Sequence, residues 1–380
     1  MKKMKLLTTT SILLSTVAFN VSAVEVYNNG KTDFNINGNV SVYLYGSDGE
    51  NQLQDGFSRF YFDTSHQLTH DWKSLAKLEW GVKVSSNSDS LHVDNGSLTS
   101  TGPSEDILWL RMGYVGLTHQ DYGTLTLGKQ WGVTYTVTGI TDVFDVFGSA
   151  ASGVYNFGTD GGFSGAGRAE QAIQYSYTTD DFYAGIQYQA TDEQITFDDF
   201  QPGDLNLNVN YDDSYAVALT YKAPYKLGFG LGFNKANLIA TRGPLTTSRK
   251  GTVISGYMTY SNLRAEGFQA ALLLTKMDNH EFNDAGQIMD EASGIELHAS
   301  YRFANGITPL IGYNSLKDGS VATVANSGNY HLEHIILGAK YHWIEETHLY
   351  VEYKIDTTTA SASSITPPEN AIGVGMAYVF

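Results

Sequence analysis

The residues equipped to do chemistry gather around one long interruption, 130–168, wedged between two stretches that read as β-strands. It holds two acids close together, Asp142 and Asp145, several aromatics and a glycine-rich tail at 161–167. A structureless insertion longer than about 15 residues is uncommon in a compact all-β protein, where it is functional or disordered. Outside it, the stretches 57–69 and 107–119 each carry an arginine on their polar face, Arg59 and Arg111. Arg59 shares parity with Tyr61 and Asp63 and opposes Phe60 and Phe62, so it faces water. On a lipid-facing side at mid-membrane an arginine costs about 2–4 kcal/mol, and in a confined space it keeps a charge that lysine can lose. Fixed charges so placed select among ions, tie down the inserted segment, or do both. Glu79, with Lys77 and Lys83 on its face, reads as part of a charged, solvated wall.

Enzymatic constellations are missing. The nucleophile elbow G-x-S-x-G fails at Ala166 in the run Gly162, Phe163, Ser164, Gly165, Ala166. His331 and His334, three apart on a strand-like stretch, point to opposite faces and cannot share a metal. His66 and His70 share a parity, but His70 belongs to a tight turn, which makes them a solvated pair. The glycines at 161–167 precede a strand, so they lack the helix N-terminus that a phosphate cradle requires. Acids such as Asp198, Asp199 and Asp204 offer oxygens to Mg²⁺ or Ca²⁺, but without a twelve-residue calcium loop plain solvation is the simpler reading. No enzyme activity and no cofactor is expected.

The elements that must position these charges are strands. Residues 1–23 read as a leader: Lys2, Lys3 and Lys5, an apolar run near 6–19, and the small-residue cleavage site Val21, Ser22, Ala23. The remainder, 24–380, shows no composition shift or Pro/Ser-rich linker that would divide it. Across 380 residues, 40 acids outnumber 23 bases for a net charge of −17, which argues against nucleic acid as a partner. There is no cysteine, although the leader directs the chain to a compartment where disulfides persist, so stability rests on pairing and burial. With 25 Tyr, 18 Phe and 39 Gly against 7 Pro, the composition suits alternating strands.

Strict alternation recurs from Phe34 to Phe380. In 371–380, Ile372, Val374, Met376, Tyr378 and Phe380 share one face and Ala371, Gly373, Gly375, Ala377 and Val379 the other. In 348–356, Leu349, Val351, Tyr353 and Ile355 oppose His348, Tyr350, Glu352, Lys354 and Asp356. The pattern predicts sixteen strands at 34–46, 57–69, 72–85, 107–119, 122–130, 169–178, 182–191, 212–222, 225–236, 251–262, 265–277, 292–303, 306–316, 331–342, 346–356 and 370–380. Seven tight turns alternate with eight longer connections centred near 50, 95, 150, 200, 243, 285, 324 and 363. An up-and-down sheet collects the turns at one end and the loops at the other. With an even strand count and aromatics at strand ends, this predicts an all-β, 16-stranded antiparallel transmembrane β-barrel with its long third loop folded into the lumen. In hydrocarbon an unpaired backbone group costs several kcal/mol, so a spanning sheet must close. Sixteen strands leave an aqueous lumen. A soluble sandwich, the competing architecture, has no reason to sort its loops by length. Pro309 belongs at a strand start or bulge, because it lacks a ladder donor.

The run Leu110, Arg111, Met112, Gly113, Tyr114, Val115, Gly116, Leu117, followed by Tyr122, Gly123, Thr124, Leu125, Thr126, Leu127, Gly128, Lys129, Gln130, resembles the strand pair leading into the third loop of Gram-negative general diffusion porins. Gly139, Ile140, Thr141, Asp142 and then Phe147, Gly148 look like the start and tip of that loop, and Phe380 after Tyr378 is similar to the family's C-terminal insertion signal. The resemblance implies a homotrimer in the outer membrane, with lipid and lipopolysaccharide as neighbours and 131–167 as the constriction loop. It assigns the basic wall of the pore to Arg59, Arg111 and Arg168, and the acidic side to Asp142; Asp145 and Glu79, taken from this chain's own residues and not from the resemblance, are expected as further acids of the constriction. The chain departs from the family at Val146, where the family has glutamate, at Asp145, where it has proline, and at Gly38, Asn39, Val40, where it has a lysine.

The function expected is a passive, water-filled channel for small hydrophilic solutes and ions. The acid excess predicts a modest cation preference. One alternative is a sugar-selective channel, for which Tyr61 and Trp109 are the inward-parity aromatics available. Another is a surface adhesin or phage receptor built on the long loops.

Overall fold

The computed structural model describes residues 24–85, 89–94, 97–103, 107–155, 159–197, 207–242, 245–262, 265–321, 328–362, 365 and 368–380. The leader 1–23 and the loop acids Asp198, Asp199 and Asp204 lie outside them. Sixteen strands form the wall: β1 Thr32–Ser47, β2 Glu50–Asp55 with Arg59–Gln67, β3 Trp72–Val82, β4 Leu108–His119, β5 Gly123–Trp131, β6 Arg168–Thr178, β7 Phe182–Gln189 and β8 Leu207–Ala223; then β9 Leu227–Arg242, β10 Leu245–Tyr260, β11 Gly267–Asp278, β12 Glu291–Arg302, β13 Ile307–Asp318, β14 His331–His342, β15 Thr347–Asp356 and β16 Ala371–Val379. Each pairs antiparallel with its neighbours in sequence. The wall closes where β16 meets β1, in a register running from Val379 opposite Asn39 to Ala371 opposite Ser47.

The strands obey the alternation that the sequence predicts. In β12, Glu296, His298 and Ser300 are buried toward the lumen while Ile295 and Leu297 are exposed on the outside. An exposed apolar face satisfies hydrocarbon and a polar one satisfies water, so the burial pattern is that of a barrel solvated by two different media. Pro309 sits third in β13, and the pairing of β13 with β12 reaches only Leu310, which leaves the missing N–H without consequence on that side.

Several connections differ from expectation. The connections near 50 and 243 are strand continuations: β1 pairs with Glu50–Asp55 up to Ser47 and Glu50, and β9 pairs with β10 out to Arg242 and Leu245. Accordingly, β8, β9 and β10 run 17, 16 and 16 residues, against the roughly 9–11 that a tilted strand needs to cross. Their surplus projects beyond the membrane as a raised rim. Along β9 the alternation continues into this rim, whose inner face is buried at Val209, Tyr211, Ala236 and Leu238. Within the connection near 95, Asp89–Asp94 and Ser97–Pro103 form a separate hairpin. At the other end of the barrel, Val24–Asn28 folds back on the start of β1 and pairs with it at residues 33–36.

Candidate functional site

The segment 132–167, between β5 and β6, lies against the inward faces of strands from both sides of the barrel. Its neck is closed by the Gly132 N–H donating to the Gly167 carbonyl at 2.7 Å. Two inward glutamines of β7 hold it from beneath. Gln187 accepts from the Val133 N–H at 3.1 Å and donates to the Gly165 carbonyl at 3.0 Å, and Gln189 donates to the Gly162 carbonyl at 2.7 Å. The glycine tail is required by this close approach: Gly161 and Gly165 have positive φ of 65° and 77°, and a Cβ would overlap the Val154 carbonyl and the Gln189 amide respectively. One short helix, α1 Tyr135–Thr138, seats Val137 with Val133 against Ala216, Ala218 and Leu273, small and apolar inward residues of β8 and β11.

Farther along, the segment is bound to the opposite arc. The Glu296 carboxylate of β12 accepts from the Thr141 hydroxyl and, at 2.8 Å, from the Ala151 N–H. Glu352 of β15 accepts three consecutive N–H groups, those of Asp145, Val146 and Phe147, at 2.7, 3.0 and 3.0 Å. Charge-assisted bonds of this kind are about twice as strong as neutral ones, so a single carboxylate fixes the loop tip. Asp145 itself is clamped by Lys340 at 2.6 Å and His348 at 3.0 Å. Burial would raise its carboxyl, but the Lys340 charge and the His348 contact bring it down to about 2. Lys340 also donates to the Val143 carbonyl at 2.7 Å. Phe144 fills the notch left by Gly312, and Val146 the notch left by Gly373.

The arginines occupy the other side. Arg111 is 2.8 Å from Glu79, and Lys77 is 3.5 Å from the same carboxylate and 3.6 Å from the centre of the Tyr61 ring. Arg59 lies within electrostatic reach of Glu79 and makes no ion pair among the described residues; it donates only to the Phe57 carbonyl. Arg168 stacks over Trp131 at 5.0 Å and sits 3.4 Å from Asp160. Burial would raise the Asp160 carboxyl, but Arg168 and Lys129 beside it hold it below its ordinary value.

The six residues singled out in the sequence therefore take up three positions. Arg59, Arg111 and Arg168 share one wall, and Glu79 belongs to that wall too, as the partner of Arg111. Asp145 points away from the arginines into the far wall. Asp142, half-buried in the segment, accepts from the Tyr135 and Tyr155 hydroxyls at 2.7 and 2.8 Å, and Tyr155 lies within electrostatic reach of both Asp142 and Arg168. Sequence reasoning missed Glu296, Lys340 and Lys129 and the anchoring role of Glu352. Their signal was a charged residue at inward parity on a spanning strand, which is costly unless paired. Among the described residues, no group of three His, Cys, Asp or Glu side chains is arranged to hold a metal.

A closed barrel with a wet interior, an apolar exterior and a charged segment bound across its lumen is an outer-membrane channel. The Gram-negative porin family model matches residues 8–361, and the chain belongs to that family. Outer membrane porin C of Enterobacter cloacae is 25% identical over 391 residues, with 96% of each chain covered. Among solved structures, OmpF of Salmonella typhi in complex with daunomycin superposes with a TM-score of 0.70 at 18% identity, covering 94% of this chain and 100% of that one. The trimer form of in-vitro folded OmpT from Vibrio cholerae gives 0.62 at 13% identity, covering 92% and 100%.

Proposed function

We propose that this porin passes small hydrophilic solutes and ions by passive diffusion, with 132–167 and the wall of Arg59, Arg111 and Arg168 as its narrowest point. The observation that carries the reading is the double attachment of the segment, to β7 at its neck and to Glu296 and Glu352 at its far side. A loop held at both ends narrows a lumen without sealing it. Asp142 on the segment and the guanidinium of Arg59 supply charges of opposite sign, which orient a dipolar solute as it enters. Such a filter acts by size and field, with no energy coupling.

The preference is for cations. Lys77, Arg111, Lys129, Arg168 and Lys340 each share a carboxylate, which cancels most of the positive charge near the constriction. The net charge of −17 then sets the sign of the field in the lumen. Reversal potentials measured in a KCl gradient across a planar bilayer test this. A potential of the sign for K⁺ selectivity is expected, and one of the sign for Cl⁻ selectivity overturns it. Residues 1–23 act as the export leader and 24–380 as the barrel, which assembles as a homotrimer among outer-membrane lipid and lipopolysaccharide, in keeping with the trimer form of its structural neighbour. A sugar slide finds less support, since the face of Tyr61 is taken by Lys77.

A further inference from the structure

The connection between β11 and β12, residues 279–290, folds inward and lies on the constriction segment, on the side facing the long loops. It is a small hairpin of its own. The Met289 N–H donates to the Glu281 carbonyl at 2.8 Å, the Asn283 N–H donates to the Gln287 carbonyl at 2.9 Å, and Gly286 turns the tip with φ of 72°. Three contacts seat it. His280 Nε2 meets the Gly153 carbonyl of the constriction segment at 2.8 Å. Phe282 is buried in a cluster with Phe163 of that segment and with Tyr211 and Leu238 of β8 and β9. Met289 is buried with Ala151, Val253 and Met277. At the tip, Asp284 accepts from the Ser361 N–H at 3.1 and 3.2 Å, joining this hairpin to the connection between β15 and β16. A loop that only faced solvent would not bury a phenylalanine and a methionine against the inside of the wall.

We propose that 279–290 is a second barrier in series with 132–167, a strap that narrows the outer vestibule and decides the size of solute that reaches the constriction. The proposal rests on the reading of the chain as a pore. The strap also carries its own release. Glu281 is buried, and among the described residues no cation or hydrogen-bond donor is recorded on its carboxyl. The groups within electrostatic reach are the Tyr211 and Tyr330 phenols. On the strap itself, Asp284 is engaged by Ser361, and burial pushes the His280 imidazole down to about 4, so it is neutral in the range that matters. Burial raises the Glu281 carboxyl from its ordinary 4.5 to about 8. The seated strap therefore retains a proton that the lifted strap gives up. Seating is fully favourable below pH 4.5, weakens as pH rises, and has lost this contribution above about 8.

Single-channel recording of the full-length protein between pH 4.5 and 8.5, with polyethylene glycols of graded size to report the cut-off, tests the assignment. Wild type should show a conductance and a size cut-off that rise across this range. Glu281→Gln should stay at the acid value throughout. A variant with 281–288 replaced by a short Gly/Ser turn should sit at or above the alkaline value at every pH, and Phe282→Ala should move toward it. Heat-resistant migration on a denaturing gel confirms that each variant has assembled. If assembled short-turn and Phe282→Ala channels keep the wild-type cut-off, there is no second barrier. If Glu281→Gln keeps the wild-type rise, Glu281 is not the release. A wild-type protein with no channel activity would instead remove the pore reading itself.

Discussion

At the scale of single residues, the lumen is organised by carboxylates that hold backbone rather than by carboxylates that meet solutes. Asp145 shows the difference. Its sequence position at the loop tip made it a candidate for the acidic side of the pore, yet its oxygens are taken by Lys340 and His348. The physical reason is that an aspartate carries a charge that must be neutralised once it is buried, and the wall supplies the partners. Replacing Asp145 by Asn strands the Lys340 ammonium in a site with little water, which costs about 3 kcal/mol or more locally. Because the Asp145 carboxyl is held down to about 2, the anchor is present from near-neutral pH down to about 4 and is lost as pH falls through about 2. Asp145→Asn channels should therefore show, at pH 5, the current noise and substate flicker that wild type shows only near pH 2. Single-channel recording at both pH values decides it, and quiet variant channels at pH 5 would count against the anchor.

At the scale of elements, the constriction depends on notches in strands. Gly312 in β13 and Gly373 in β16 face inward, and the rings and methyls of Phe144 and Val146 occupy the space where their Cβ atoms would stand. Gly312→Leu should evict Phe144 and shift the loop tip from the wall, changing conductance while leaving the barrel assembled; unchanged conductance in an assembled Gly312→Leu channel would falsify the notch argument. This level also marks where sequence reasoning stopped. Period-two alternation made all sixteen strands readable, because a face exchanged between lipid and water leaves a mark at every second residue. It made Glu352 and Gly373 readable as inward. It did not reveal that Val146 would sit over Gly373 or that Glu352 would cap three N–H groups, because contacts 200 residues apart leave no periodic trace. The rim formed by β8 to β10 and the inward fold of 279–290 were missed for the same reason. Both are held by apolar contacts between residues far apart in sequence, such as Phe282 with Phe163, Tyr211 and Leu238.

At the scale of the whole molecule, everything depends on one seam. Fifteen of the sixteen strand pairings join neighbours in sequence, which are close by construction, whereas the pairing of β1 with β16 must bring the two ends of the wall together. Phe380 secures it. The Phe380 N–H donates to the Gly38 carbonyl at 3.0 Å, the Gly38 N–H donates to the Phe380 carbonyl at 2.8 Å, and the Phe380 ring covers Gly38 so closely that a Cβ there would collide with it. Beyond this point Val24–Asn28 takes over the free edge of β1. An open edge in hydrocarbon leaves a row of unpaired donors and acceptors at several kcal/mol each, so closure is all or none. Gly38→Val puts a branched side chain where the Phe380 ring lies, and should reduce the yield of heat-resistant barrel on refolding into detergent while leaving the alternating strands intrinsically competent. Deleting Phe380 from the Gly38→Val variant removes the collision but also the two terminal bonds. If Gly38→Val harms the seam only by colliding with the ring, that double variant recovers barrel relative to Gly38→Val alone; if the two backbone bonds of Phe380 are themselves needed for closure, it recovers none, and refolding yields measured side by side on gels separate the two.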